Sequence, residues 1–257
     1  MTGRDTESVD IEPKLERVER EGVGLLVDEG AHAAGVLVGF AGRNGGISKP
    51  PYDTLNLAFR GGDNRDDVAE NRRRAAKAAE FDPDRLALAR QVHGADVIEV
   101  GEGDSGVLGE ADVLVTRVSG PVLGILTADC TPVVLAGDNG VAIAHAGWRG
   151  LVAGAVERAV ELIAPVHAAW VGPAIKSCCY EVGPEVEDAF RARDLPIARP
   201  GYVDPGEGVV TILQREGIER VAESGVCTHC DPSYFSYRRD GVTGRQGAFV
   251  ALVEPRA

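Results

Sequence analysis

Apolar positions along this chain follow two rhythms, and the switches between them mark the elements. Residues 34–41, AGVLVGFA, are an unbroken apolar run closed by RNGG, which predicts a buried strand entering a turn. The proline-stiffened KPPYDTLNLAF predicts a short strand near Leu55–Phe59. GGDNRDDVAENRRRAAKAAEF opens on Asp and Asn, with acids in its first turn and cations later. That order complements a helix dipole and predicts a helix over 65–80. LALARQVHGADVIEV predicts two strands or one bent strand over 86–100, with Gly94 letting the chain turn after His93. Strands are also predicted in 111–118 and 122–128. PVVLA (132–136) and VAIAHA (141–146) flank GDNG, a hairpin signal. Helical spacing returns over Leu151–Ile163. Residues 167–175 read as a strand entering a turn, VTILQREGIERVAESG contains another amphipathic helix, and YFSYRRDGVTGRQGAFVALV predicts two strands around DGVTG.

Strands and helices are mixed without a regular βαβ alternation. The expected fold class is therefore α+β, with a mixed sheet or sandwich rather than a doubly wound sheet. The 257 residues contain no low-complexity linker and no repeat. They read as a polar N-terminal arm, 1–30, and a single domain, 31–257.

The net charge of −13 gives no overall basic balance for nucleic acid. The run Arg72, Arg73, Arg74 reads as the solvated face of a helix. No stretch approaches the ~18 apolar residues of a spanning helix, so no membrane partner is expected. The polar N-terminus is not an export signal. With five cysteines, an odd number, this points to a reducing cytoplasm and at least one thiol free for chemistry or metal binding. The sequence sets no oligomeric state; a monomer is one option.

The segment LTADCTPVVLAGDNGVAIAHAGWRG, 126–150, carries the densest chemistry. A two-residue turn at Asp138-Asn139 pairs Gly137 with Gly140 and His145 with Pro132. Cys130 then faces Gly147 and lies diagonal to His145 on the same face, roughly 7–8 Å away at Cα. A four-residue loop would set them directly opposite, and an odd loop on opposite faces. Three readings follow. Cys130 is a buried thiol near a hydrogen-bonded histidine; or His145 keeps Cys130 as a nucleophilic thiolate; or both are metal ligands. The last needs a third donor. His93, at a strand end before Gly94, would complete a His/Cys/His set with room for water, the open arrangement of a catalytic zinc. Gly147, Gly150 and Gly154 surround a helix start that would suit an anion such as phosphate, with Arg149 adding charge. Asp129 is the nearest candidate acid/base, provided the strand ends or bulges at Ala128–Asp129; in a regular strand it would point away.

Several motifs, in order, resemble one family: RQVHG, LTADCTPVVL, AHAGWRG, VGPAI…CCYEVG and YFSYRRDGVTGR, preceded by GRNGGIS…YDTLNLAF…ENRRR. They resemble the YfiH / multicopper polyphenol oxidase (laccase-domain) family over roughly residues 35–253. The resemblance implies a mixed β-sandwich-like core flanked by helices, similar to the catalytic domain of cytotoxic necrotizing factor. It puts the family's metal ligands on His93, Cys130 and His145. It implies phosphorolysis of adenosine, inosine, guanosine or methylthioadenosine, and deamination of adenosine, with purine nucleoside and phosphate as partners. Phosphate would be met by Arg43, Arg149 and the Gly147–Gly150 turn. The family's usual Ser/Thr before this arginine is Gly42 here.

The His2Cys set suits zinc well, and copper less. Rival readings are a copper-dependent polyphenol oxidase, a Cys130–His145 thiol hydrolase or amidase acting on a peptidoglycan precursor, and a zinc-binding protein without catalysis. Arg238, Arg239 and Arg245 could line a substrate cleft. Cys178-Cys179 and Cys227-Thr-His-Cys230 suggest a four-thiolate knot, but two adjacent cysteines are poor tetrahedral ligands, so mere packing is expected.

Overall fold

The computed structural model describes residues 11–255. It opens on a hairpin, β1 (Glu16–Arg20) and β2 (Val23–Val27), with Arg20 opposite Val23. Glu21 and Gly22, at φ 55° and 76°, make its tight turn. Part of the expected polar arm is thus sheet from residue 16 onward; residues 1–10 lie outside the described residues. The charged β1 gave little strand signal because it is an edge strand, where charge discourages pairing with other chains. The apolar β2 is the strand it shields.

A short helix α1 (Glu29–Ala33) leads to β3 (Val36–Ala41). Helix α2 (Arg65–Ala78) follows, capped by Asn64, whose side chain accepts from the N–H groups of Asp66 and Asp67. Then come β4 (Leu86–Arg90), β5 (Val97–Glu99), β6 (Gly106–Glu110), β7 (Val113–Thr116) and β8 (Val122–Thr127). The hairpin strands are β9 (Thr131–Gly137) and β10 (Gly140–Ala146). After them the single helix expected over 151–163 is two, α3 (Trp148–Ala153) and α4 (Ala155–Ile163). Gly154, at φ 89°, breaks it. The chain closes with β11 (Val166–Val171), α5 (Pro184–Ala192), β12 (Ile197–Arg199), β13 (Tyr202–Val203), α6 (Pro205–Arg215), β14 (Val221–Glu223), α7 (Tyr237–Asp240) and β15 (Gln246–Leu252).

Two mixed sheets form the body. One has the order β1-β2-β3-β15-β8-β4-β6, the other β14-β11-β9-β10-β7-β5. Their facing residues make a central core: Phe40, Leu123, Ile125 and Val250 from the first meet Leu114, Val134, Ile143 and Trp170 from the second. The alternate residues of the second sheet, including Val133, Leu135 and Ala144, pack instead under α3, α4, α5 and α6. The outer face of the first sheet, with Leu25, Leu37, Leu88 and Phe249, is covered by α2 and by Leu55 and Leu57. Covering both faces explains why the central strands read as continuous apolar runs. Among the described residues no helix is long and apolar enough to cross a membrane.

Two expected strands are absent. Leu55 and Leu57 are buried at alternate positions, but their N–H groups bond to Arg43 O and Arg245 O singly, without a ladder. Near the C-terminus, Ser236 accepts from Arg239 N and caps the helical turn α7 where a strand was expected.

One buried charge anchors the sandwich. Asp28, 2% exposed, accepts from the indole Nε1–H of Trp170 at 2.8 Å and from the N–H groups of Lys14 and Ala31. Trp170→Phe leaves that carboxylate short of one donor. Urea unfolding should show at least about 1–3 kcal/mol lost, with the bound-metal content unchanged; a loss below about 0.5 kcal/mol would contradict the anchoring role.

Candidate metal centre

The site lies where the chain crosses between sheets. β8 ends at Thr127 in one sheet and β9 begins at Thr131 in the other. Asp129, at φ 90°, makes the corner, a backbone region that non-glycine residues rarely adopt. Cys130 stands on this crossing. The hairpin turn has two residues, with Gly137 opposite Gly140 and His145 opposite Pro132. Cys130 and His145 therefore take the diagonal arrangement. His93 arrives on the loop after β4, itself at φ 64°.

One donor atom each from His93, Cys130 and His145 lie within 4.8 Å of one another. Cys130 Sγ is 3.9 Å from His93 Nε2, and the imidazole centroids are 4.8 Å apart, nearly edge-on. Gly147 makes this packing possible. A Cβ there would sit 3.0 Å from Cys130 Sγ and 3.3 Å from His93 Cδ2. The helix behind it, α3, has only six residues, so its dipole adds little to anion binding.

The residue that organises the centre is Asp112, which the sequence reading did not single out. Its Oδ1 lies 2.7 Å from His145 Nδ1, leaving Nε2 of that ring for an ion. The same carboxylate accepts from the backbone N–H groups of Val92, His93 and Gly94, at 3.1, 3.0 and 2.7 Å. Asp112 thus fixes one histidine by its ring and the other by its backbone. The available signal was an acid immediately before an apolar strand, which turns out to neighbour β10. Burial works against ionising Asp112, but the bonds from His145, Gly94 and Val92 outweigh it and hold its pKa below the usual value.

The ligand residues polarise each other. Burial raises the pKa of Cys130, yet the charge and hydrogen bonds of His145 and His93 bring it down to about 6. Burial likewise opposes charging His145, but the Cys130 thiolate and Asp112 raise its pKa to about 9. Between those values the metal-free pair is thiolate and imidazolium. A soft thiolate with two imidazoles is a donor set that fits a divalent zinc.

Of the nearby cations and rings, Tyr180 and Arg245 lie within electrostatic reach of Cys130. Arg149 lies exposed, its guanidinium 4.2 Å over the ring of Trp148. Arg238 lies 5.1 Å over Tyr180. Arg245 feels the charges of Cys130 and Asp129, although burial lowers its pKa. Tyr180 is pushed up by burial and by Cys130, against the pull of Arg238 and Arg149. Asp129 accepts from the Thr228 hydroxyl at 2.6 Å and from Arg238 N at 2.7 Å. Arg43, the other arginine considered for phosphate, is engaged within the chain. Its guanidinium donates to Asp53 O and Oδ2, lies 3.6 Å from Asp240, and stacks 4.8 Å over Phe235. Its charge already faces two carboxylates of the chain.

Residues 37–253 match the family described as multi-copper polyphenol oxidoreductase laccase. The chain belongs to that family. It is 39% identical over 243 residues to purine nucleoside phosphorylase YfiH of Escherichia coli (strain K12), covering 89% of this chain and 99% of that protein. It is 42% identical over 233 residues to purine nucleoside phosphorylase SCO2081 of Streptomyces coelicolor, covering 85% of this chain and 96% of that one. The crystal structure of YlmD from Geobacillus stearothermophilus has a TM-score of 0.84 at 34% identity, covering 94% of this chain and all of that one. That of YfiH from Bacillus licheniformis also reaches 0.84, at 30% identity, with 93% and 98% covered. The α+β architecture expected from the sequence is the one these structures share.

Two measurements follow from the geometry. Asp112→Asn should weaken zinc binding by about 10–100-fold in chelator competition, the usual effect of losing a carboxylate behind a ligand histidine; unchanged affinity would remove Asp112 from its organising role. In metal-free protein, iodoacetamide alkylation of Cys130, followed by peptide mass spectrometry, should rise with pH through an inflection near 6. An inflection at the ordinary thiol value of about 8.5 would contradict the thiolate–imidazolium pair.

Proposed function

We propose that this chain is a zinc-dependent purine nucleoside enzyme. It cleaves the glycosidic bond of adenosine, inosine, guanosine or methylthioadenosine with phosphate, and also deaminates adenosine. The observation that carries the reading is the convergence of His93, Cys130 and His145 on one small volume, with Tyr180 and Arg245 within electrostatic reach of Cys130. The naming of similar proteins as purine nucleoside phosphorylases supports the substrate class.

Zinc held by the three donors would supply Lewis acidity at neutral pH. The remaining work falls to side chains. Tyr180 and Trp148 are the rings assigned to the flat purine; each already carries an arginine over one face, and such arginine–ring pairs also suit anions. Phosphate is assigned to Arg149, Arg238 and Arg245, whose charges are not matched by a carboxylate pair as that of Arg43 is. The Gly147 contribution is space for the donors rather than a phosphate contact. Asp129 is assigned the proton-carrying role. The Thr228 hydroxyl and Arg238 N–H orient its carboxylate, and each oxygen keeps a further lone pair.

The donor inventory argues for zinc over copper oxidase chemistry. The chain has five histidines and one methionine, and that methionine is residue 1. Among the described residues, two clusters could hold a metal, and the second contains no histidine. A multicopper oxidase would need further imidazole sites. The Cys130–His145 ion pair favours one rival, a thiol hydrolase acting on an amide, and metal removal separates the two.

Purified protein should convert inosine to hypoxanthine only with phosphate, and adenosine partly to inosine without it, both followed by chromatography. Cys130→Ala should lose one zinc equivalent and at least about 100-fold in rate, as expected when a catalytic metal is lost. Turnover that survives complete metal removal, with Cys130 still required, would replace this reading with the thiol hydrolase.

A further inference from the structure

The four cysteines outside the first centre converge. Cys178 and Cys179 sit on the loop between β11 and α5, and Cys227 and Cys230 on the loop between β14 and α7. All four sulfurs lie within 4.8 Å of one another. Cys178 is 3.5 Å from Cys227 and 3.7 Å from Cys230, and Cys179 is 3.2 Å from Cys230. None is paired in a disulfide. A tetrahedral ion with sulfurs at 2.3 Å has S···S edges of about 3.8 Å, close to these spacings. The expected clash of adjacent cysteines does not arise, because the chain turns there: the N–H groups of Cys179 and Tyr180 both donate to Lys176 O.

Backbone hydrogen bonds shape and join the two loops. The Cys227–Cys230 turn is closed by Cys230 N–H and Asp231 N–H bonding to Cys227 O, at 3.1 and 2.9 Å. Parallel backbone contacts, with Thr228 N–H donating to Ala174 O at 3.0 Å, hold the two loops in register. We propose that Cys178, Cys179, Cys227 and Cys230 form a second, closed metal site that takes one zinc ion.

Four sulfur donors leave no position for substrate, so this site is structural. Each thiol gives up its proton to solvent as the ion binds. The ion would clamp together the loop bearing Tyr180, next to Cys179, and the loop bearing Thr228, next to Cys227. Thr228 holds Asp129. The second site would therefore brace the wall of the first without sharing a ligand with it.

The direct test uses the full-length Cys130→Ala protein, in which the remaining four cysteines are all in the cluster. Elemental analysis and native mass spectrometry should find one zinc per chain, and an organomercurial should release it as the four thiols react. Unmodified protein should hold two. Cys178→Ser/Cys230→Ser should hold one and melt at a lower temperature. No zinc in Cys130→Ala, or a zinc count equal in the double variant and the unmodified protein, would overturn the proposal. Iron in place of zinc, or disulfides among these cysteines in protein purified under reducing conditions, would overturn it as well. The count in Cys130→Ala does not depend on nucleoside turnover, so it fails or stands separately from the function proposed above.

Discussion

A single buried carboxylate holds the first centre together. Asp112 binds the ring of His145 and three consecutive backbone N–H groups around His93. Neither histidine alone is held by much. His93 sits on a loop in a left-handed conformation, and His145 is the last residue but one of a strand whose side chains otherwise serve packing. Joining them through one anion converts two separate chain segments into one rigid unit. The anion is affordable inside the protein only because four donors surround it. Where a ligand histidine is oriented by a carboxylate, its free nitrogen is both fixed in direction and made more basic.

The sandwich supplies the rest of that rigidity. β9 and β10 are buried on both faces, between the other sheet on one side and α3 to α6 on the other. Their two-residue turn sets the register, so the diagonal of Cys130 and His145 follows from backbone pairing alone. The crossing from β8 to β9 then puts Cys130 at an end of the sheet. Gly147 leaves the volume that a methyl group would occupy. Irregular backbone at Asp129 and His93 is the local cost of that placement, and packed strands on every side hold it.

Much of this was legible in the chain itself. The GDNG turn marked the β9–β10 hairpin and narrowed its register to a few choices, of which the chain takes the two-residue one, and the Asp/Asn-led pattern marked α2. The family followed from ordered motifs. The β1–β2 hairpin was hidden because a charged edge strand lacks the apolar alternation that betrays an inner one. Leu55 and Leu57 showed a strand's alternation but find their partners one bond at a time from Arg43 and Arg245. Asp112 was invisible for another reason. Its partners lie about 20 and 33 residues away in the chain, and nothing local to ADVLV announces them. Arg43 looked available in its glycine-rich loop, whereas it faces Asp53, ten residues on, and Asp240 from near the other end of the chain.

The account rests on one ion held by His93, Cys130 and His145, with Asp112 behind it. The most direct measurement is a crystal structure of the purified protein with anomalous scattering recorded on both sides of the zinc edge. The account predicts a zinc peak bonded to Cys130 Sγ, His93 Nε2 and His145 Nε2, with His145 Nδ1 still on Asp112. A zinc-free triad in protein that turns over nucleosides, or an ion bound through His145 Nδ1 with Asp112 displaced, would contradict it.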